Sequence, residues 1–154
     1  MKIASYTIGG TDSFGVVTGD RIVDLRKRLP AEYATLRDVI AAGALDQARQ
    51  VADGQPGDYA FGDVTCLPVI PYPEKILVVA LNYDEHIAET GRAKTENPAW
   101  FIRVPPSQVG HRQPLIMPTV SDNFDFEGEL AVIIGTGGRA IPAASALDHV
   151  CGYS

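Results

Sequence analysis

Three short patterns in this chain pair residue types that do chemistry with a spacing that lets them act together. The first is Glu127-Gly128-Glu129, inside residues 124–135, FDFEGELAVIIG. In an extended segment residues two apart point the same way, so the two carboxylates share a face with Ala131 and Ile133, while Phe126, Leu130, Val132 and Ile134 share the other. Two carboxylates on one face of a mostly buried strand repel each other and lose solvation unless something positive sits between them, and a hard divalent cation suits oxygen ligands. Gly128 lacks a Cβ and lets a ligand or another backbone come close. Periodicity alone still ranks two solvated glutamates on an edge strand ahead of a metal site.

The second pattern is His86 with Glu89, in NYDEHIAE at 82–89. Three residues apart on a helix, the two share a face, where the carboxylate can accept a hydrogen bond from the imidazole, orient it and raise its basicity. A general base is built this way. An exposed helical ion pair reads from the same residues and is the commoner outcome; what favours catalysis is the position at the end of an apolar run. The third pattern is Arg103 with Ser107, at a Pro105-Pro106 loop where either could face a ligand's carboxylate. An ordinary surface arginine is an equal reading. His111 reads as exposed, and His149 as a helix-end histidine near terminal carbonyls.

These residues need elements to hold them. The chain begins as an antiparallel meander: a strand over 2–8, a turn at Gly9-Gly10 and Asp12, a strand over 14–18, and a Gly19-Asp20 hairpin turn into 21–25. Its glycines never form a GxGxxG that opens a helix after a strand, so dinucleotide binding has no support. Helical spacing predicts short helices at about 35–42, stopped by Gly43, and at 44–53, stopped by Gly54. Residues 64–70, broken by Pro68, read as an edge strand or extended linker, and Pro71-Tyr72-Pro73 stiffens the chain after them, which puts a domain boundary near residue 70.

Beyond it, KILVVAL at 75–81 is a continuous apolar run of strand length, the pattern of burial on both faces. It leads into a short helix that begins with Asn82 as a possible cap and ends near Gly91. Residues 92–98 suit a surface loop. Strands are expected at 100–104, at 115–117 and through the central 124–135, then a short helix at about 143–149 with Ala146, Leu147 and Val150 turned inward, and a further extended segment from Cys151.

Bulk properties bound the rest. The 154 residues are enough for one domain, or a small domain plus part of a second. With 45% hydrophobic and 21% charged residues the composition is that of a globular protein with ample core material. The net charge of −6 and the absence of an aromatic-laced basic stripe argue against nucleic acid and for a small partner. Cys66 and Cys151, far apart and outside any CxxC, read as buried thiols in a reducing compartment. No apolar run nears the ~20 residues of a membrane helix, and the MKIASYTIGG start does not read as a signal peptide. The expected address is cytoplasmic, without a membrane partner.

Taken in order, KILVVALNYDEHIAETG, FIRVPPSQVGH, SDNFDFEGELAVIIG and ALDHVCGYS closely resemble the fumarylacetoacetate hydrolase family. The resemblance covers residues 73–154, and residues 1–70 look like the small N-terminal domain that many bacterial members carry. The fold class implied is α+β, mostly β: a small N-terminal α/β domain over 1–70, followed at 71–154 by the first part of a mixed β-roll catalytic domain. By the same resemblance Glu127 and Glu129 are ligands of Mg²⁺ or Mn²⁺, with Ca²⁺ a further candidate. His86 and Glu89 match the family's H-x-x-E dyad, carried on a short helix that acts as a lid, and Arg103 and Ser107 match a pocket-lining loop.

The implied function is metal-dependent hydrolysis of a carbon–carbon bond in, or decarboxylation of, a 2-oxo or dicarbonyl acid, in the breakdown of aromatic or related small acids, by a protein that is a homodimer at full length. Isomerase or ureidoglycolate-type lyase chemistry on the same site, or a non-catalytic binding module, are the alternatives. Two departures stand out. Ala80 replaces a family glycine and Asp84-Glu85 a small-then-Asp pair. The family's third metal-ligating aspartate and a site lysine lie after the position matching Tyr153-Ser154, so the expectation is a C-terminally truncated chain, inactive alone, with an open roll that exposes apolar edge surface.

Overall fold

A computed structural model describes residues 1–124 and 129–154. Asp125, Phe126, Glu127 and Gly128 fall outside the described residues, and with them one half of the expected carboxylate pair. The chain divides into two compact units, Met1–Ile70 with Val109–Ser154, and Pro71–Gln108.

The first unit is built on a five-stranded antiparallel sheet in the order β4-β3-β2-β1-β5. Its strands are β1 (Ile3–Ile8), β2 (Thr11–Thr18), β3 (Arg21–Asp24), β4 (Tyr59–Ala60) and β5 (Thr65–Cys66). Gly9 and Gly10 both take positive φ, 55° and 77°. That is the twist a two-residue hairpin requires, and it fixes the β1–β2 register at Ser5↔Phe14 and Tyr6↔Ser13. Strand alternation then sorts the side chains into two layers. Phe14 and Leu25 form one core with Leu29, Leu36, Val39, Ala48 and Ile70. Tyr6, Ser13, Ile22 and Asp24 occupy the opposite face.

Two helices close the apolar side, α1 (Leu36–Ala41) and α2 (Leu45–Ala52). Thr35 caps α1 through a full capping box with Asp38: the Thr35 Oγ1 accepts from the Asp38 amide at 3.3 Å, and the Asp38 carboxylate accepts from the Thr35 amide at 2.8 Å. Leu36 and Val39, three apart, are its buried stripe. On the other side of the sheet Asp58 ties β3 to the chain entering β4. Its Oδ2 accepts from the Asp24 amide at 2.8 Å and from Arg28 Nη1 at 2.5 Å, and Lys27 lies 3.6 Å from Oδ1.

The same unit includes a two-stranded ribbon, β8 (Val132–Ile134) with β9 (Val150–Tyr153), and Ile133 is partly buried against the apolar core. Ala131 and Ser154 exchange both backbone hydrogen bonds at 3.0 Å and complete that ladder. Gly110 lies against Cys66, so close that a Cβ there would sit 1.8 Å from the Cys66 carbonyl oxygen. The second unit is an antiparallel ribbon of β6 (Ile76–Ala80) and β7 (Ala99–Arg103), paired from Ile76↔Arg103 to Ala80↔Ala99, with α3 (Asp84–Thr90) between the strands.

The mixed, mostly β architecture agrees with expectation, and several local readings do not. Residues 115–117 form no strand; with Ile116 88% exposed, they have no apolar layer to line. In the central stretch only Val132–Ile134 is strand among the described residues, because pairing with β9 stops at Ala131; Phe124, Glu129 and Leu130 are irregular. Leu130, Val132 and Ile134, on the face opposite the carboxylates in a strand expected to be mostly buried, are exposed, and Ile133 is the side chain turned to the core. The 75–81 run is not buried on both faces, since Leu77 is 55% exposed and all of β7 is exposed. Residues 143–149 form a 3₁₀ helix, with Ala146 exposed and Leu147 75% exposed instead of turned inward. The N-cap of α3 is Tyr83, without a side-chain hydrogen bond, and not Asn82.

Candidate active site

The dyad is positioned by the rotation of α3. Ile87 is its one buried side chain. At about 100° per residue, His86 falls beside Ile87 and Glu89 nearly opposite it, which is why the His86 side chain is 39% exposed and that of Glu89 77%. The His86 Nδ1 lies 3.7 Å from the Glu89 Oε2. The helix begins with Asp84 and Glu85, acids that suit the positive end of the helix dipole, and Gly91 ends it in the left-handed conformation at φ 64°. Leu81, between β6 and α3, is held at φ 52°. A bulky residue rarely adopts that conformation, which costs roughly 1–2 kcal/mol and marks a constrained turn where the ribbon hands over to the dyad helix.

Arg103 and Ser107 are brought together. Arg103 Nε donates to the Ser107 Oγ at 3.2 Å, and the Ser107 hydroxyl donates to the Val104 carbonyl at 2.8 Å, which closes the 3₁₀ turn Pro105–Ser107. The pairing puts Arg103 opposite Ile76, whereas the chain leaves for α3 from Ala80. Four residue steps, roughly 13 Å along the ribbon, separate those two points of attachment.

Glu129 is exposed and lies outside any strand. Glu127 is not among the described residues, and among those that are, no group of three His, Cys, Asp or Glu could hold a metal ion. The donor chemistry of the pair nevertheless fits a hard cation, two carboxylates with the remaining positions open to water. Neither cysteine suits nucleophilic work, because burial pushes both the Cys66 and Cys151 thiols up. His149 Nδ1 donates to the Thr136 carbonyl at 2.7 Å. His111 is exposed, its ring 6.3 Å from that of Phe61.

One contact had no signal in the sequence. Lys94 Nζ reaches Asp84 Oδ1 at 2.7 Å, fastening the 92–98 loop to the first turn of α3. Asp84 opens α3 and Lys94 lies in the irregular chain after its Gly91 cap, so no periodicity announces the pair.

Comparison with known proteins bears on the family and the fold. The model of the family described as fumarylacetoacetate (FAA) hydrolase C-terminal matches residues 75–154. The mitochondrial oxaloacetate tautomerase fahd2 of Xenopus laevis is 32% identical over 138 residues, 88% of this chain and 43% of that protein. The structure of a fumarylacetoacetate hydrolase from psychrophilic Exiguobacterium antarcticum aligns with a TM-score of 0.74 and 31% identity, covering 100% of this chain and 54% of that one. Maleylpyruvate hydrolase from Sphingobium sp. SYK-6, solved in complex with manganese(II) and pyruvate, shares the fold at a TM-score of 0.73 and 22% identity, over 99% of this chain and 56% of its own. The chain thus spans about half the length of the relatives it matches. With more than half of its residues matched to the family model, and with the dyad helix and the E-x-E segment both inside the match, this chain belongs to the fumarylacetoacetate hydrolase family.

Proposed function

We propose that this chain contributes the proton-transfer machinery of a metal-dependent enzyme that cleaves a carbon–carbon bond in, or decarboxylates, a 2-oxo or dicarbonyl acid. The observation that carries the reading is the His86–Glu89 pair, 3.7 Å apart on a helix that follows the first strand of the family segment. Glu89 faces Nδ1 at 3.7 Å, which leaves Nε2 as the nitrogen that exchanges the proton. In the hydrolytic reaction His86 takes a proton from water, the resulting hydroxide adds to the carbonyl carbon, and the carbon–carbon bond breaks with its electron pair passing to the 2-oxo acid fragment, which then takes up a proton. Arg103, braced by Ser107, meets the substrate carboxylate. A divalent ion, Mg²⁺, Mn²⁺ or Ca²⁺, on Glu127, Glu129 and water would polarise the 2-oxo acid oxygens and stabilise the negative charge that develops on them.

A second reading is tautomerisation of a 2-oxo acid, favoured by the oxaloacetate tautomerase relative that covers 88% of this chain. It needs only the proton transfer at His86 and no bond cleavage. The small 2-oxo acid partner, a homodimeric assembly, and the division into a small domain at 1–70 and the first part of a catalytic domain at 71–154 belong to the same proposal. Exposed Leu77, Trp100 and Ile102 on the β6–β7 ribbon support further packing there. The test is to follow cleavage of an acylpyruvate and enol-to-keto conversion of oxaloacetate by ultraviolet absorbance, with Mg²⁺ or Mn²⁺. His86→Gln should lower the operative rate by roughly 10²–10⁴-fold; a variant as active as the parent would remove His86 from the mechanism.

A further inference from the structure

The N-terminal sheet carries a second polar site that the chemistry above does not use, and the argument for it is independent of that reading. A cleft of about 310 Å³ opens beside β2 and β3, lined in part by Asp12, Ser13, Asp24, Arg26, Lys27 and Tyr59. Its floor is buried: Asp24 is 3% exposed and Ser13 9%. The Ser13 hydroxyl donates to Asp24 Oδ1 at 3.0 Å, and the Lys27 amide donates to the same oxygen at 3.2 Å. Tyr6, fully buried, shares this face of the sheet. Its ring stands edge-on to Tyr59 at 6.2 Å, and its hydroxyl lies behind the lining residues Ser13 and Asp24, close to both but without a hydrogen bond of normal geometry. A buried hydroxyl left without a partner costs about 1–3 kcal/mol. One water would satisfy it while filling only about 30 Å³.

The mouth of the cleft is charged. The Lys27 ammonium sits 4.4 Å over the Tyr59 ring, and Arg26 Nη1 donates to the Asp12 carbonyl. Among the lining side chains Asp12 and Asp24 balance Arg26 and Lys27 in formal charge, while Asp58, 3.6 Å from Lys27, lies outside the lining. A simple anion would meet two carboxylates and a simple cation two basic groups, so the matched ligand carries both signs a few ångströms apart. We propose that this cleft binds a small zwitterion of the α-amino-acid class, its ammonium on Asp24 and its carboxylate on Lys27 and Arg26, with the Tyr6 hydroxyl completing the buried end.

The probe is L-serine, titrated into the ¹⁵N-labelled chain and followed by amide chemical shifts, with acetate and methylammonium as single-charge controls. Expected are saturable shifts at Ser13, Asp24 and Lys27 below about 10 mM L-serine, weakened about tenfold or more in Tyr6→Phe and in Lys27→Met. Both controls should bind at least that much more weakly than L-serine. Tyr6→Phe keeps the ring and Lys27 is half exposed, so both variants should fold; should Tyr6→Phe not fold, Lys27→Met decides. No saturable shift, acetate or methylammonium binding as well as L-serine, or unchanged affinity in either folded variant overturns the proposal.

Discussion

Replacing Asp58 by alanine tests whether the polar corner between β3 and β4 stabilises the N-terminal sheet. The substitution removes an acceptor that receives the Asp24 amide at 2.8 Å and Arg28 at 2.5 Å. A hydrogen bond to a charged group contributes about 1.5–3 kcal/mol, so two of them set a ceiling of about 6 kcal/mol. Arg28 keeps its bond to the Asp24 carbonyl at 2.8 Å, and its side chain, 21% exposed, can rehydrate. Lys27 is half exposed and adds little. The expected loss is therefore about 2–3 kcal/mol at neutral pH, a fall in melting temperature of roughly 4–12 °C.

The pH dependence supplies a second check on the same variant. Burial pushes the Asp58 carboxyl up, but the hydrogen bonds from Arg28 and the Asp24 amide, together with the Arg28 and Lys27 charges, outweigh it and hold the group below its ordinary value. A depressed carboxyl contributes stability that is present above the unfolded value, about 4, and is lost as pH falls through the folded one. The gap between parent and Asp58→Ala should thus be full at pH 7 and shrink below pH ~4. Urea unfolding followed by far-ultraviolet dichroism and tyrosine fluorescence measures it, since Tyr6 and Tyr59 flank this corner. A gap under ~0.5 kcal/mol at pH 7, or one that stays constant to pH 3, would refute the reasoning.

Gly110→Ala forces a methyl group onto the Cys66 carbonyl at 1.8 Å; the backbone must shift, and a loss of about 1–3 kcal/mol or more is expected from the same urea titration. Thr35→Ala removes the capping box of α1 and should cost about 1 kcal/mol, whereas Thr35→Ser should restore most of it. Glu127→Gln and Glu129→Gln should each weaken Mn²⁺ binding by about tenfold or more, read by electron paramagnetic resonance of the free ion; unchanged binding in both would take the pair out of the metal site.

What the sequence disclosed follows from how local each signal is. In β1 to β3 and α1 every cue lies within a few residues: two glycines that accept positive φ, alternation that sorts Tyr6 from Phe14, a threonine three places before an aspartate. These elements form close to where the pattern puts them. The 124–135 stretch shows the limit. Its apolar run marks it as extended, but a strand exists only where another strand pairs with it, and β9 reaches no farther than Ala131. Residues 115–117 and Leu147 are apolar without an apolar layer to bury them, something composition cannot reveal. At the site, the i, i+3 spacing of His86 and Glu89 was legible because a helix turn enforces it, while the Lys94–Asp84 contact depends on the path of a loop.

The seven residues of α3 are too few to hold a helix by their own hydrogen bonds. Its order rests on Ile87, whose burial contributes about 1.5–3 kcal/mol, with the Lys94–Asp84 contact as a weak second fastening. Under the proposed mechanism the aim of the imidazole is delegated to a hydrocarbon side chain outside the proton transfer. Trimming Ile87 to valine or alanine would leave every charged group in place and yet spread His86 over many directions, so that turnover could be graded, or extinguished, from a position that touches neither proton nor substrate.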